Sequence, residues 1–129
     1  MEPLKKERES VENYLASILD LQKQNGMCFS VDVARDLGFS KASVSVAMKK
    51  MSEEGYVSFG ESHELVLSEA GHKIAKEVLA KRKLLKEALV AIGVSEKNAE
   101  ADAHQIEHSI SDETNRKLYH YLKSQMKKN

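Results

Sequence analysis

One cysteine, Cys28, stands in 129 residues, which excludes an internal disulfide framework and any structural zinc site built on cysteine thiolates. Its neighbours Met27 and Phe29 point to partial burial. Long apolar runs are missing as well: no stretch approaches the ~18 to 20 apolar residues that cross a bilayer. The first residues, Met1-Glu2-Pro3-Leu4-Lys5-Lys6, have no signal-peptide apolar segment. A cytoplasmic protein with no membrane partner is expected. Tryptophan is absent and aromatic residues make up 5% of the chain, while Ala, Leu, Val and Lys recur at helix-like spacing. That composition favours a mostly α fold with strands as a minor part. The sequence shows no low-complexity linker, useful repeat, phosphate-cradling glycine loop, dinucleotide fingerprint or Ser-His-Asp arrangement.

What is present is a length suited to one ordinary domain or two small modules. Net charge is zero overall, but residues 1–72 hold 8 Lys/Arg against 12 Asp/Glu and residues 73–129 the reverse. The N-terminal half thus carries −4, which argues against strong non-specific attraction to nucleic acid.

Start and stop signals divide the chain. Val11, Tyr14, Leu15, Ile18 and Leu21 fall at helical spacing between Ser10, a candidate N-cap, and Gly26. Ser30 can cap a short helix, Val31 to Leu37, that Gly38 stops; Ser40 opens another that ends at Gly55. Tyr56 to Phe59 and Glu64 to Leu67 read as two short strands around Gly60 to His63. Ser68 then caps a long helix reaching Ile92, Ser95 one through about Ile110, and Ser111-Asp112-Glu113 starts a last one.

The order helix, turn, helix, hairpin is that of a winged helix-turn-helix. In its third helix Val44, Ala47, Met48 and Met51 form one stripe that can bury against Val33, Ala34 and Leu37. The opposite face, Ala42, Ser43, Ser45, Val46, Lys49 and Lys50, is left for solvent or for a major groove. Small side chains there permit close approach, and hydroxyls and the helix N-terminus can bind phosphate. The wing is less suited to DNA: Glu61 and Glu64 repel phosphate, and only a protonated His63 attracts it.

The run Val31-Asp32-Val33-Ala34-Arg35-Asp36-Leu37-Gly38-Phe39-Ser40-Lys41-Ala42-Ser43-Val44-Ser45, then Glu53-Glu54-Gly55-Tyr56-Val57 and Leu65-Val66-Leu67-Ser68-Glu69-Ala70-Gly71, resembles the diphtheria toxin repressor family of iron- and manganese-dependent regulators. Leu84-Leu85, Ile92-Gly93-Val94 and Ile106 to Ser111 extend the similarity over nearly the whole chain. The resemblance is to the short, manganese-regulator-like form without a C-terminal barrel domain. It implies a homodimeric transcriptional repressor on a palindromic operator in double-stranded DNA, with manganese or iron as corepressor. It also implies that Ser40, Lys41, Ala42, Ser43 and Val46 face DNA, beside Lys49 from the exposed face. The expected division is a winged-helix DNA-binding domain over 1–72 and a helical dimerisation and metal-binding domain over 73–129, where Ile74, Val78, Leu84, Leu85, Leu89 and Ile92 leave apolar surface for a partner subunit.

His104, Glu107 and His108 stand at i, i+3 and i+4 and so share one helix face. Imidazole nitrogens and a carboxylate suit a divalent transition metal. The family completes such a site from the first helix and the long helix after the wing, and there this chain departs from the pattern. The first-helix ligand position is Asn13, a second acidic position is Ala16, a His is replaced by Arg82 and a Glu by Lys86. His104 stands where relatives have Glu or Cys. Ala and Arg cannot ligate and Asn offers only a neutral carbonyl, so at most one metal per subunit is expected. Arg82 either takes the place of a second cation by pairing with Glu107 or a neighbouring acid, or extends into solvent. A relative that has lost metal control, or answers another ligand, is the alternative reading.

His104-x-x-Glu107-His108 also matches H-x-x-E-H, the motif of inverted zinc peptidases. Catalysis would need a further protein ligand, an open coordination position and a cleft, and 21 residues follow His108. A non-enzymatic protein is expected.

Overall fold

The structure, a computed structural model, describes residues 2–127, with side chains from 6 to 125. It divides into two compact units, Met1–Val78 and Leu79–Asn129. Among the described residues the order is α1 (Glu2–Asn25), α2 (Ser30–Leu37), α3 (Lys41–Glu53), β1 (Val57–Phe59), β2 (Leu65–Leu67), α4 (Glu69–Ala91), α5 (Glu96–Ser109) and α6 (Asp112–Lys127). The boundary between the units falls within α4.

The first unit is built around α1. Leu15, Ala16 and Ile18 are wholly buried and Tyr14 and Leu19 nearly so. Ser17, buried among them, donates to Asp36 Oδ2 of α2 at 2.7 Å, which satisfies a hydroxyl that would otherwise cost free energy to bury. The helix begins at Glu2, not at Ser10. Lys6-Glu7-Arg8-Glu9 are strong helix formers without apolar periodicity, so propensity extends the helix where the hydrophobic pattern is silent.

Phe29 caps α2, one residue before the expected Ser30. Its backbone N–H donates to Asp32 Oδ2 at 2.8 Å, which places the first-turn carboxylate where an orphan donor needs it. Gly38 ends the helix at φ 73° and its N–H returns to Ala34 O, a left-handed cap that glycine adopts without strain. Val33 and Ala34 of α2 and Val44, Met48 and Met51 of α3 are buried, the predicted stripe; Ala47 and Leu37 are half-buried.

β1 and β2 pair antiparallel with Val57 opposite Leu67 and Phe59 opposite Leu65. Val57 and Leu65 point into the core. Leu65 N–H also reaches Cys28 O at 2.7 Å, and Gln22 Nε2 donates to Leu65 O at 3.1 Å, so the wing's inner strand is tied to the end of α1. Cys28 itself is wholly buried, beyond the partial burial expected. Ser68 caps α4 by accepting from Gly71 N at 3.1 Å while its hydroxyl donates to Gly55 O at 2.6 Å. Residue 71 must be glycine, because a Cβ there would run into the carbonyl oxygen of Tyr56.

In the second unit Gly93, at φ 103°, turns the chain after α4. Ser95 accepts from Asn98 N at 3.4 Å to cap α5, and Ser111 accepts from Thr114 N at 3.1 Å to cap α6. The α5 helix stops at Ser109, with Ile110 extended. Asn115 Nδ2 donates to Glu107 O at 2.9 Å and so ties α6 to the end of α5.

Candidate nucleic-acid interface and metal centre

The N-terminus of α3 is fixed by its own serines. Ser40 Oγ accepts from Ser43 N at 3.1 Å and lies 2.9 Å from Ser43 Oγ. With Val44 and Met48 buried, helical geometry turns Lys41, Ala42, Ser43, Val46 and Lys49 outward, and all five are exposed, as is Ser40. Val46 is 71% exposed, an apolar side chain that its own unit leaves to water. The face offers lysine ammoniums for phosphates, hydroxyls for polar contacts and small apolar groups for base edges. These are the positions that the sequence places on the outward side of the helix.

The wing spends its own acid. Glu64 O accepts from Gly60 N at 2.9 Å and Glu64 Oε1 from Ser62 N at 2.9 Å. His63 sits at φ 66° at the tip, and the Glu64 carboxylate folds over Gly60, where a Cβ would overlap it. Glu61 is exposed at the turn and presents its negative charge to solvent.

In the second unit α5 brings His104, Glu107 and His108 together, with one donor atom from each lying within 4.8 Å of the others. The His104 and His108 rings are 5.1 Å apart between centroids, and His108 Nε2 lies 3.6 Å from Glu107 Oε1. Metal–ligand bonds of about 2.0 to 2.2 Å hold two donors of one ion no more than about 4.4 Å apart. The three side chains therefore fit one divalent ion after a small rotamer adjustment, with the remaining positions left to other donors. Asn13 is half-buried on α1 and Ala16 wholly buried there; both belong to the first unit.

Arg82 does not extend into solvent. Its Nε donates to Glu107 Oε1 at 3.1 Å and a terminal nitrogen approaches the same oxygen at 3.0 Å, with the two side chains 19% and 16% exposed. One turn on, Lys86 Nζ lies 3.8 Å from Glu100 Oε2. Sequence reasoning missed this second pair and the Asn115 tie. The signal was there: basic residues on α4 and acids on α5 stand at comparable distances from the turn at Gly93, the arrangement that antiparallel neighbours need.

Comparison with known proteins joins the two halves. Residues 8–63 match the N-terminal DNA binding domain of the iron dependent repressors, and residues 68–128 match their metal binding and dimerisation domain. The transcriptional regulator MntR of Escherichia coli is 31% identical over 107 residues, which cover 83% of this chain and 69% of that protein. The chain belongs to the iron dependent repressor family. An uncharacterised HTH-type transcriptional regulator of Methanocaldococcus jannaschii is 34% identical over 107 residues, covering 81% of this chain and 86% of its own. A manganese-dependent transcriptional repressor solved in complex with manganese shares the fold at TM-score 0.73 and 24% identity, over 87% of this chain and 52% of that one. The chain thus spans about half the length of that solved repressor. Family members are transcriptional regulators that bind DNA, and the match favours metal response over the reading in which control has been lost. No described helix is long and apolar enough to cross a membrane.

Proposed function

We propose that this member of the iron dependent repressor family is a homodimeric repressor that inserts α3 into the major groove at each half of a palindromic operator, with one divalent ion per subunit, manganese or iron, as corepressor. The observation that carries the DNA reading is the capped α3 with its buried stripe and its exposed Lys41, Ala42, Ser43, Val46 and Lys49. Ser40 positions this face by holding the first turn, and the lysines supply the local positive charge that the first 72 residues lack as a whole.

His104, Glu107 and His108 are the residues that would hold the ion. A bound divalent cation supplies positive charge and directional bonds that draw the three side chains together. Asn13 contributes at most a neutral oxygen. The test is selection of bound DNA from a random pool by the purified chain, with manganese(II), with iron(II) and with chelator. A palindrome enriched only with metal is expected. Enrichment that is the same with chelator would refute the corepressor role, and no enrichment under any condition would refute the operator reading.

A further inference from the structure

We infer that Arg82 is a resident cation of the metal centre, holding Glu107 in the absence of an ion and competing with any ion that binds there. This deepens the proposed reading of His104, Glu107 and His108 as an ion site and rests on it. Three observations carry it. The guanidinium makes two close approaches, at 3.1 and 3.0 Å, to the one oxygen, Glu107 Oε1, that also lies 3.6 Å from His108 Nε2. Both partners are largely withdrawn from water, at 19% and 16% exposure, where charge interactions are screened less than at the surface. And Arg82 lies on α4 while His104, Glu107 and His108 all lie on α5, so the contact ties two helices that an ion held by the α5 side chains alone would leave unlinked.

The consequence is twofold. The guanidinium is a fixed positive charge. An incoming divalent ion must therefore share a carboxylate with a fixed positive charge about 3 Å away, or displace it, and either lowers its affinity. At the same time α4 and α5 are joined without an ion, so the second unit should fold and keep its helix pairing in chelator. Lys86 beside Glu100 adds a weaker, more exposed contact of the same sense.

The experiment compares the full chain with Arg82→Gln and Arg82→Lys. Manganese(II) and cobalt(II) binding is measured by calorimetry, and melting is followed by circular dichroism in chelator and with each ion. Glutamine removes the charge and keeps a shorter, neutral amide with two N–H donors; lysine keeps the charge without the planar fork. The expected result is that Arg82→Gln binds either ion about tenfold or more tightly than the parent, that Arg82→Lys stays close to the parent, and that only Arg82→Gln gains a large ion-dependent rise in melting temperature. Equal affinity in the parent and Arg82→Gln would overturn the inference while leaving the ion site standing. No ion binding by any of the three would overturn the ion site itself. A cycle of Arg82→Gln, Glu107→Gln and the double variant, melted in chelator, tests the tie without any metal. The double variant should lose no more than either single one, and fully additive losses would refute the tie.

Discussion

Cys28 has no reactive role open to it. Burial first, and then the neighbouring Asp32 and Asp36 carboxylates, push its thiol from 9.0 up to about 12, and it is wholly inaccessible. Only the thiolate is nucleophilic, so iodoacetamide at pH 8 should leave the native chain unmodified and label it once denaturant is added. Labelling at equal rates would refute this. The raised value also sets a pH dependence. Below pH 9 the thiol is protonated in both states and its contribution is intact; between about 9 and 12 the unfolded chain releases a proton that the folded chain keeps, and stability is lost as pH rises. Against a Cys28→Ala reference, the parent should therefore lose urea resistance more steeply above pH 9. Met48 presents the simpler case. It is wholly buried on α3, and Met48→Ala should cost about 2 to 5 kcal/mol in urea unfolding; a loss within experimental error would mean that this stripe does not hold α3.

For α3 as an element, the distinction between its two faces predicts opposite phenotypes. Lys41→Ala and Lys49→Ala alter exposed residues, so stability should move by no more than about 0.5 kcal/mol. Each should nevertheless reduce the slope of log affinity against log salt by about 1 if it meets a phosphate. Val46→Asp places a negative charge at a 71% exposed apolar position of the same face and should abolish operator binding with the fold intact. Filter or fluorescence titration at several salt concentrations checks all three, and unchanged slopes for both lysine variants would remove α3 from the interface. The two faces are legible in the sequence because a buried stripe at i, i+3, i+4 and i+7 also defines its opposite. Ser40, Ser68, Ser95, Ser111 and Gly38 are legible for the same local reason: a cap is a matter of backbone groups a few residues away. What cannot be read locally is either masked by a competing signal or long-range. The start of α1 is hidden because its first turns carry propensity without hydrophobic pattern, and Phe29 displaces Ser30 because Asp32 supplies the carboxylate from inside the helix. The fate of Arg82 depends on a partner 25 positions away. Sequence leaves two outcomes open there, and only the pairing of α4 with α5 decides between them.

Taken whole, the molecule distributes its buried apolar surface unevenly. Among the described residues, fifteen buried apolar side chains belong to Met1–Val78, while Leu79–Asn129 has only Ala99 and Ala103, with Ile92 78% and Tyr121 62% exposed. Half-buried Leu84, Leu85, Leu89, Ile106, Leu118 and Leu122 fill the second unit instead. Hydrophobic burial of roughly 25 cal/mol per Å² is the main favourable term in folding, so a unit with two buried alanines has little from which to derive stability alone. The match of residues 68–128 to a dimerisation domain explains the deficit as surface reserved for a second copy. Folding of that unit is then linked to association, and linked equilibria depend on protein concentration. The melting temperature of the full chain should rise with each tenfold increase in concentration, and light scattering should return twice the 14.5 kDa mass of one chain at micromolar levels. Dilution should lower the transition of the helices after Val78 before that of the winged unit, which hydrogen exchange can resolve. A transition independent of concentration over two decades, with a monomer mass, would contradict the dimer and with it the proposed reading of paired half-sites.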